Sequence, residues 1–210
     1  MLYTFVTPDE LQENTYLYVD EKTNKALLFD PGDKFEELDK LIEKKNIEVK
    51  AIVLTHAHSD HIKGVPYYRE KFSVDVYGPV QEKELFEDPK KNLSYYYDGV
   101  GISIKDMKYL ENNREVEISP FKFTIKHAPG HTKGSSIYVF DDLAIVGDVI
   151  FRGSVGRWDL YSGSFSDTQN SILNVIYKLD KQLPLYPGHG EKTNVEFESK
   201  YNAYFRINAW

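Results

Sequence analysis

The sequence predicts an α/β protein of two packed β-sheets with helices on their outer faces. Two observations point there. Short apolar runs rich in β-branched residues alternate with amphipathic helical patterns in both halves of the chain. The residues able to carry chemistry, above all His56-Ala57-His58-Ser59-Asp60-His61, fall at the ends of those apolar runs. The ends of strands are where an α/β sheet holds its ligands.

Taken in order, Leu2–Val6, Thr15–Val19 and Ala26–Phe29 read as strands with tight connections. Phe35–Lys45 follows as a helix, because Phe35, Leu38, Leu41 and Ile42 recur at helical spacing. The stretch Lys50-Ala51-Ile52-Val53-Leu54-Thr55 is a buried strand that ends where the histidine run begins. Gly64 and Pro66 break the chain before a short helix over Tyr67–Lys71, and Val74–Tyr77 is a further strand. In the second half Phe121–His127, Ser136–Phe140 and Leu143–Val146 are strands. A helix spans about Asp167 to Leu179, capped by Ser166 or Asp167. Leu183–Tyr186 forms the last strand and Val195–Phe205 the last helix. The segment from Gln81 to Glu115 has no clear period. Its run Tyr95-Tyr96-Tyr97 reads as ordinary packing, with a lid or a self-association surface as the functional alternatives.

Three His and one Asp within six residues form a metal-ligand pattern in a chain holding only 6 His. Neutral imidazole and carboxylate donors suit zinc, iron or manganese. Three later residues sit in matching places, each at the end of an apolar run and beside glycine: His131 in Pro129-Gly130-His131-Thr132, Asp148 in Val146-Gly147-Asp148, and His189 in Pro187-Gly188-His189-Gly190. Glycine lets the backbone turn sharply enough to bring such a side chain inward. His127 lies four residues before His131 but on an alternating strand segment. It therefore reads as a structural or supporting histidine rather than a ligand.

With these motifs the chain resembles the metallo-β-lactamase-fold hydrolases over essentially its whole length. It is most similar to the glyoxalase II group in a short, single-domain form covering residues 1–210. The narrower resemblance rests on Asp30-Pro31-Gly32, Pro129-Gly130-His131-Thr132, Gly147-Asp148-Val149-Ile150-Phe151, Gly153-Ser154-Val155-Gly156-Arg157-Trp158-Asp159 and Pro187-Gly188-His189-Gly190. It implies a four-layer αββα sandwich of two mixed sheets, with the metal site at one edge. It also implies that His56, His58 and His131 hold one metal, that Asp60, His61 and His189 hold a second, and that Asp148 bridges them. Zinc is the first expectation, iron or manganese the alternatives. Such a centre would hydrolyse a small-molecule acyl thioester, as a hydroxyacylglutathione hydrolase does, with a metal-bridging hydroxide as nucleophile. Asp60 would accept a hydrogen bond from that hydroxide and so act catalytically.

Composition agrees with an enzyme and excludes several alternatives. A chain of 210 residues, 41% hydrophobic and 28% charged, can bury a full core in one domain. No apolar run is long enough to span a membrane, and the start lacks a signal-peptide pattern, so the cytoplasm is the expected compartment. With Cys 0 there is neither a disulfide nor a cysteine nucleophile. A formal net charge of −7 with no long basic run argues against nucleic acid as a partner.

The substrate side is less determined. Glyoxalase II enzymes of the two-domain type bind glutathione with a helical C-terminal domain, for which the short stretch from His189 to Asn208-Ala209-Trp210 has no room. Where those enzymes place a Lys and a Tyr after the bridging Asp, this chain has Gly156-Arg157-Trp158-Asp159. Arg157 and Lys133 are the candidate substrate contacts, although Arg157 and Asp159 read first as an ion pair that holds the loop. Persulfide dioxygenases, which use one iron, share Gly-Arg-x-Asp at this place and supply the alternative activity. A non-catalytic metal-binding module is the third class, disfavoured because no ligand position is degraded. A bridging Asp argues against β-lactam hydrolysis.

Overall fold

A computed structural model describes residues 1–97, 99 and 101–207; Asn208-Ala209-Trp210 lie outside the described residues. The first sheet is formed by β1 (Leu2–Val6), β2 (Asn14–Asp20), β3 (Lys25–Phe29), β4 (Glu48–Val53), β5 (Asp75–Pro79) and β6 (Lys108–Leu110), in that spatial order. The second comprises β7 (Arg114–Ile118), β8 (Phe121–His127), β9 (Ser136–Val139), β10 (Ala144–Gly147), β11 (Pro184–Pro187) and β12 (Thr193–Asn194), also in sequence order across the sheet. Both sheets are mixed. In the first, β1–β3 pair antiparallel and β3–β6 parallel. In the second, only β10 and β11 run parallel.

The helices are α1 (Glu36–Lys45), α2 (Ser59–Ile62), α3 (Val65–Phe72), α4 (Lys83–Glu87), α5 (Ser94–Tyr97), α6 (Phe165–Asn174) and α7 (Val195–Tyr201). Three apolar layers explain why the strands read as nearly continuous hydrophobic runs. Leu27 and Phe29 of β3 and Ala51 and Val53 of β4 point between the sheets, where they meet Phe123, Ile125, Tyr138 and Ile145. Their neighbours Ala26, Leu28 and Ile52 point the other way, onto Leu38 and Ile42 of α1 and Tyr68 of α3. The second sheet packs Ile137, Ala144 and Val146 against Ile172 of α6 and Val195 of α7. Strands in the middle two layers are buried on both faces. Each buried Leu, Ile or Phe there contributes roughly 1.5–3 kcal/mol. This is the αββα sandwich expected.

Helix α1 follows its local signals. Glu36, Glu37 and Asp39 occupy its first turn, Lys44 and Lys45 its last, and Asn46 closes it in the left-handed conformation at φ 52. For α6 the structure corrects the expected start. Ser164, not Ser166 or Asp167, is the cap, and its hydroxyl accepts from the Asp167 amide at 3.3 Å. The helix also ends at Asn174, with a 3₁₀ turn carrying Ile176–Lys178. The unreadable segment after Gln81 contains α4, α5, β6 and the start of β7. These elements are three to five residues each, too short to show a period.

Candidate metal centre

Four connections converge at one edge of the sandwich, each leaving the C-terminal end of a strand. The loop after β4 carries His56 and His58, and α2 carries Asp60 and His61. The turns after β8, β10 and β11 carry His131, Asp148 and His189. The geometry needs glycine at two of these turns. Gly147 sits at φ 48, and a Cβ there would run into Thr55. A Cβ on Gly188 would overlap the Asp148 carboxylate and the His61 ring. These glycines let two strand ends approach closely enough for their side chains to meet.

All seven residues expected as metal ligands come together. His56, His58 and His131 form one compact donor group, and Asp60, His61 and His189 form another. Asp148 lies between them. One carboxylate oxygen is 3.3 Å from His61 Nε2, and the other is 3.5 Å from His131 Nε2 and 3.4 Å from His189 Nε2. Asp60 is 3.3 Å from His189 Nε2. His58 Nδ1 and His131 Nε2 face each other at 2.7 Å.

The donor set fits divalent metal ions on its own chemistry. The Nε2 atoms of His56 and His61 and Oδ1 of Asp148 are buried without a hydrogen-bond partner. In folded proteins buried polar atoms are as a rule hydrogen-bonded. Three imidazoles packed against each other would repel if charged, and burial holds all of them neutral, with His58 pushed down to about 3. Neutral imidazole is the form that binds a metal. In the second group burial again opposes charge, but Asp148 and Asp60 outweigh it. They hold His61 well above the ordinary range, and His189 rises to about 10. A buried cluster whose two carboxylates favour positive charge is one that a divalent ion would suit.

The outer nitrogen of most ligand rings is tied down, which fixes the inner one. His131 Nδ1–H donates to the Arg157 carbonyl at 2.7 Å, and His189 Nδ1–H donates to the Leu11 carbonyl at 2.8 Å. Thr55 gives its hydroxyl proton to Asp30, so its oxygen is the acceptor for His56 Nδ1–H at 3.1 Å. His61 Nδ1–H donates to Asp30 at 3.1 Å. Such outer hydrogen bonds set tautomer and orientation at metal sites.

Asp30, Glu13 and Glu82 are the residues to which sequence reasoning gave no role. Asp30 is buried, adopts φ 43, and accepts from the Thr55 amide and hydroxyl as well as from His61. Glu13 lies beneath the same ring, 3.9 Å from His61 Nδ1, and burial raises its carboxyl well above the usual range. Glu82 accepts from the amide of Ala57, between two ligands, at 3.1 Å and from the amide of Gly134 at 2.7 Å. Burial pushes its carboxyl up to about 7. For Asp30 the sequence carried two signals, its place at the end of a strand and the motif Asp30-Pro31-Gly32. Glu82 stands in a segment with no period, and nothing there points to it.

The structure corrects or refines four further readings. Lys133 is not a wall of the cavity above the metal donors; its ammonium is held by Glu84, which also takes Lys91 and the Tyr161 hydroxyl. Arg157 does line that cavity, with its guanidinium paired to Asp159 through two bonds of 2.8 and 2.9 Å. His127 bonds the Lys133 carbonyl at 2.9 Å and stands outside every donor group. Tyr95, Tyr96 and Tyr97 are exposed rather than packed, and Tyr97 lines the cavity. That cavity has a volume of about 430 Å³. Its apolar wall is made by Leu11, Leu93, Tyr97, Phe151, Val155 and Leu160.

A family model for the metallo-beta-lactamase superfamily matches residues 8–189, and the chain belongs to that superfamily of metal-dependent hydrolases. It is 36% identical over 197 residues to the probable metallo-hydrolase YqgX of Bacillus subtilis, covering 92% of each chain. It is 29% identical over 197 residues, again 92% of each, to hydroxyacylglutathione hydrolase GloC of Haemophilus influenzae. Among solved structures it is similar to the BLEG-1 B3 metallo-beta-lactamase, with a TM-score of 0.89 at 33% identity over 97% of this chain and 99% of the other. Among the described residues no helix is long and apolar enough to cross a membrane.

Proposed function

We propose that this chain is a dinuclear metal-dependent hydrolase of acyl thioesters. The observation that carries the reading is the pair of donor groups joined through Asp148, opening onto an apolar-walled cavity. His56, His58 and His131 would hold one ion and Asp60, His61 and His189 the other, with Asp148 shared and zinc the first choice on donor chemistry. When bound, such ions supply hydroxide near neutral pH and polarise an acyl carbonyl. Asp60, which lines the cavity, would hold the proton of the attacking group. Leu11, Val155 and Leu160 of the cavity wall would lie beside an apolar acyl chain.

Among the described residues no serine hydroxyl is hydrogen-bonded to a histidine, including those of Ser59 and Ser154, which line the cavity. The Ser135 hydroxyl is engaged by Thr132, and that of Ser136 donates to the Gly134 carbonyl. The histidines that could activate a serine face the donor groups or, in His127, a backbone carbonyl. Likeness to GloC supports the thioester reading, and likeness to BLEG-1 makes a β-lactam the necessary comparison substrate.

The test loads the purified chain with zinc, iron or manganese, counts bound ions, and assays one panel. The panel holds short acyl thioesters, a chromogenic β-lactam, and a persulfide with oxygen uptake recorded. Two ions per chain with thioester turnover, and little on the β-lactam, is the expected result. A single ion with oxygen consumed on the persulfide would assign the chain to mono-iron dioxygenase chemistry instead. Faster turnover of the β-lactam than of any thioester would overturn the substrate assignment.

A further inference from the structure

One apolar residue of the cavity wall stands in a backbone conformation that its type avoids. Leu93 lines the cavity and adopts φ 71. In the left-handed region a Cβ crowds its own backbone, so glycine, asparagine and aspartate are the usual occupants. Among the described residues outside glycine, Leu93 is the only aliphatic one at positive φ. The core does not hold it there. Leu93 is half-buried but belongs to none of the three apolar layers.

Its neighbours impose the conformation, and both are fully buried polar residues. Asn92 Oδ1 accepts from the Ser94 amide at 3.0 Å, and Asn92 Nδ2 donates to the Ile102 carbonyl at 2.8 Å. Ser94 Oγ accepts from the Ile102 amide at 2.7 Å. The Leu93 carbonyl is turned into α5, where it accepts from the amides of Tyr96 and Tyr97 at 3.0 and 3.2 Å. Helix α5 lies against α2, which carries Asp60 and His61. None of these bonds needs a leucine side chain; glycine or asparagine would make them with less strain. Strain that the surrounding structure over-determines collects at ligand-binding positions. Leu11 and Tyr97 of the same wall are exposed, so apolar surface there is available to a ligand.

We propose that Leu93 is a specificity-determining residue whose side chain packs on the acyl group, so that the site favours an extended apolar acyl group over acetyl. The inference rests on the thioester reading above. Leu93 meets the chain beyond the carbonyl and takes no part in the chemistry, so its effect scales with acyl length.

The test uses the metal-loaded chain with acetyl, butyryl and hexanoyl thioesters of N-acetylcysteamine. Leu93→Gly and Leu93→Asn remove the apolar side chain while suiting the left-handed backbone. In the wild type kcat/KM is expected to be at least about 10-fold higher for hexanoyl than for acetyl, as added methylenes against an apolar wall allow. In both variants that ratio should fall about 3- to 10-fold. Their Tm should stay within about 3 °C of wild type, because relief of strain offsets lost packing. A ratio that does not move, an equal loss for all three thioesters, or a Tm lowered by more than about 10 °C in both variants would overturn the proposal. A second series keeps the acyl group as acetyl and lengthens the thiol from N-acetylcysteamine to N-hexanoylcysteamine. Wild type and variants should respond to it alike; a difference confined to this series would place the contact on the thiol and overturn the acyl assignment. Calorimetric binding of the non-hydrolysable ethyl and hexyl thioethers of N-acetylcysteamine gives the comparison without turnover. If no thioester is hydrolysed while the hexyl thioether still binds wild type more tightly than the variants, the hydrolase reading fails and the role of Leu93 stands.

Discussion

The two donor groups of the candidate metal centre are built differently. His56, His58 and His131 are a purely histidine group, buried and held neutral, with Glu82 clamping the loops that carry them. Asp60, His61 and His189 mix a carboxylate with two imidazoles, and the side chains of Asp60 and His189 keep 15% and 22% exposure beside the open cavity. The contrast teaches that the first group is a closed site defined by desolvation. The second is a more open one defined by negative charge. Asp148 belongs to both, which makes it the position that can erase the distinction.

The largest expected effect is therefore Asp148→Ala. It should release metal from both groups and lower turnover by at least about 100-fold, since even supporting residues of metal sites cost 10–100-fold. Elemental analysis beside kinetics checks it, and retention of two ions would refute the bridge.

His189→Ala should separate the halves. One ion is expected to remain, held by the first group, while the second falls below detection after dialysis. His58→Ala should reverse that order, with loss of the more tightly held ion. Equal losses in the two variants would mean the halves are not distinct.

Two buried carboxylates sharpen the comparison further. Glu82→Ala leaves the amides of Ala57 and Gly134 without their acceptor. At about 1–3 kcal/mol for each orphaned group, a fall in Tm of about 5–15 °C is expected in the metal-free protein. Asp30→Ala frees His61 Nδ1 directly and reaches His56 only through the Thr55 hydroxyl. Its main effect should be about 10–100-fold weaker binding of the second ion with the first retained. Calorimetry and metal titration on both variants test whether each carboxylate serves its own half.

The smallest effect lies outside the centre. Lys133 and Lys91 lower the Glu84 carboxyl from 4.5 to about 2. Its contribution to stability is present above pH 4.5 and is lost as pH falls toward 2. Glu84→Gln should therefore narrow the gap between stability at neutral pH and at pH 3. An unchanged acid profile, measured by denaturant unfolding of metal-free protein, would show that the cluster is fully screened.

Much of the architecture was present in the sequence because strong local periods encode it. The apolar runs of β3, β4, β8 and β10 and the helical spacing of α1 each set their element without help from distant residues. The start of α6 was misplaced by two residues or more because Ser164, Ser166 and Asp167 are all competent caps and only the chain path selects one. The elements after Gln81 were invisible because they are short and take their conformation from what they pack against.

By itself the sequence determined the donor chemistry: which residue types stand at the ends of which strands, and that these suit a divalent metal. Only the tertiary structure decided how the remaining charges are spent. Lys133 pairs with Glu84 across 49 positions, and Glu82 reaches Gly134 across 52. His61 finds Asp30 across 31. Arg157 pairs with a residue only two positions away, yet that Arg157 also lines the cavity above the donor groups follows from the fold. The physical reason is range. Hydrophobic period and turn chemistry act over a few residues, whereas an ion pair or buried hydrogen bond depends on which distant residues the closed sandwich brings within about 3 Å.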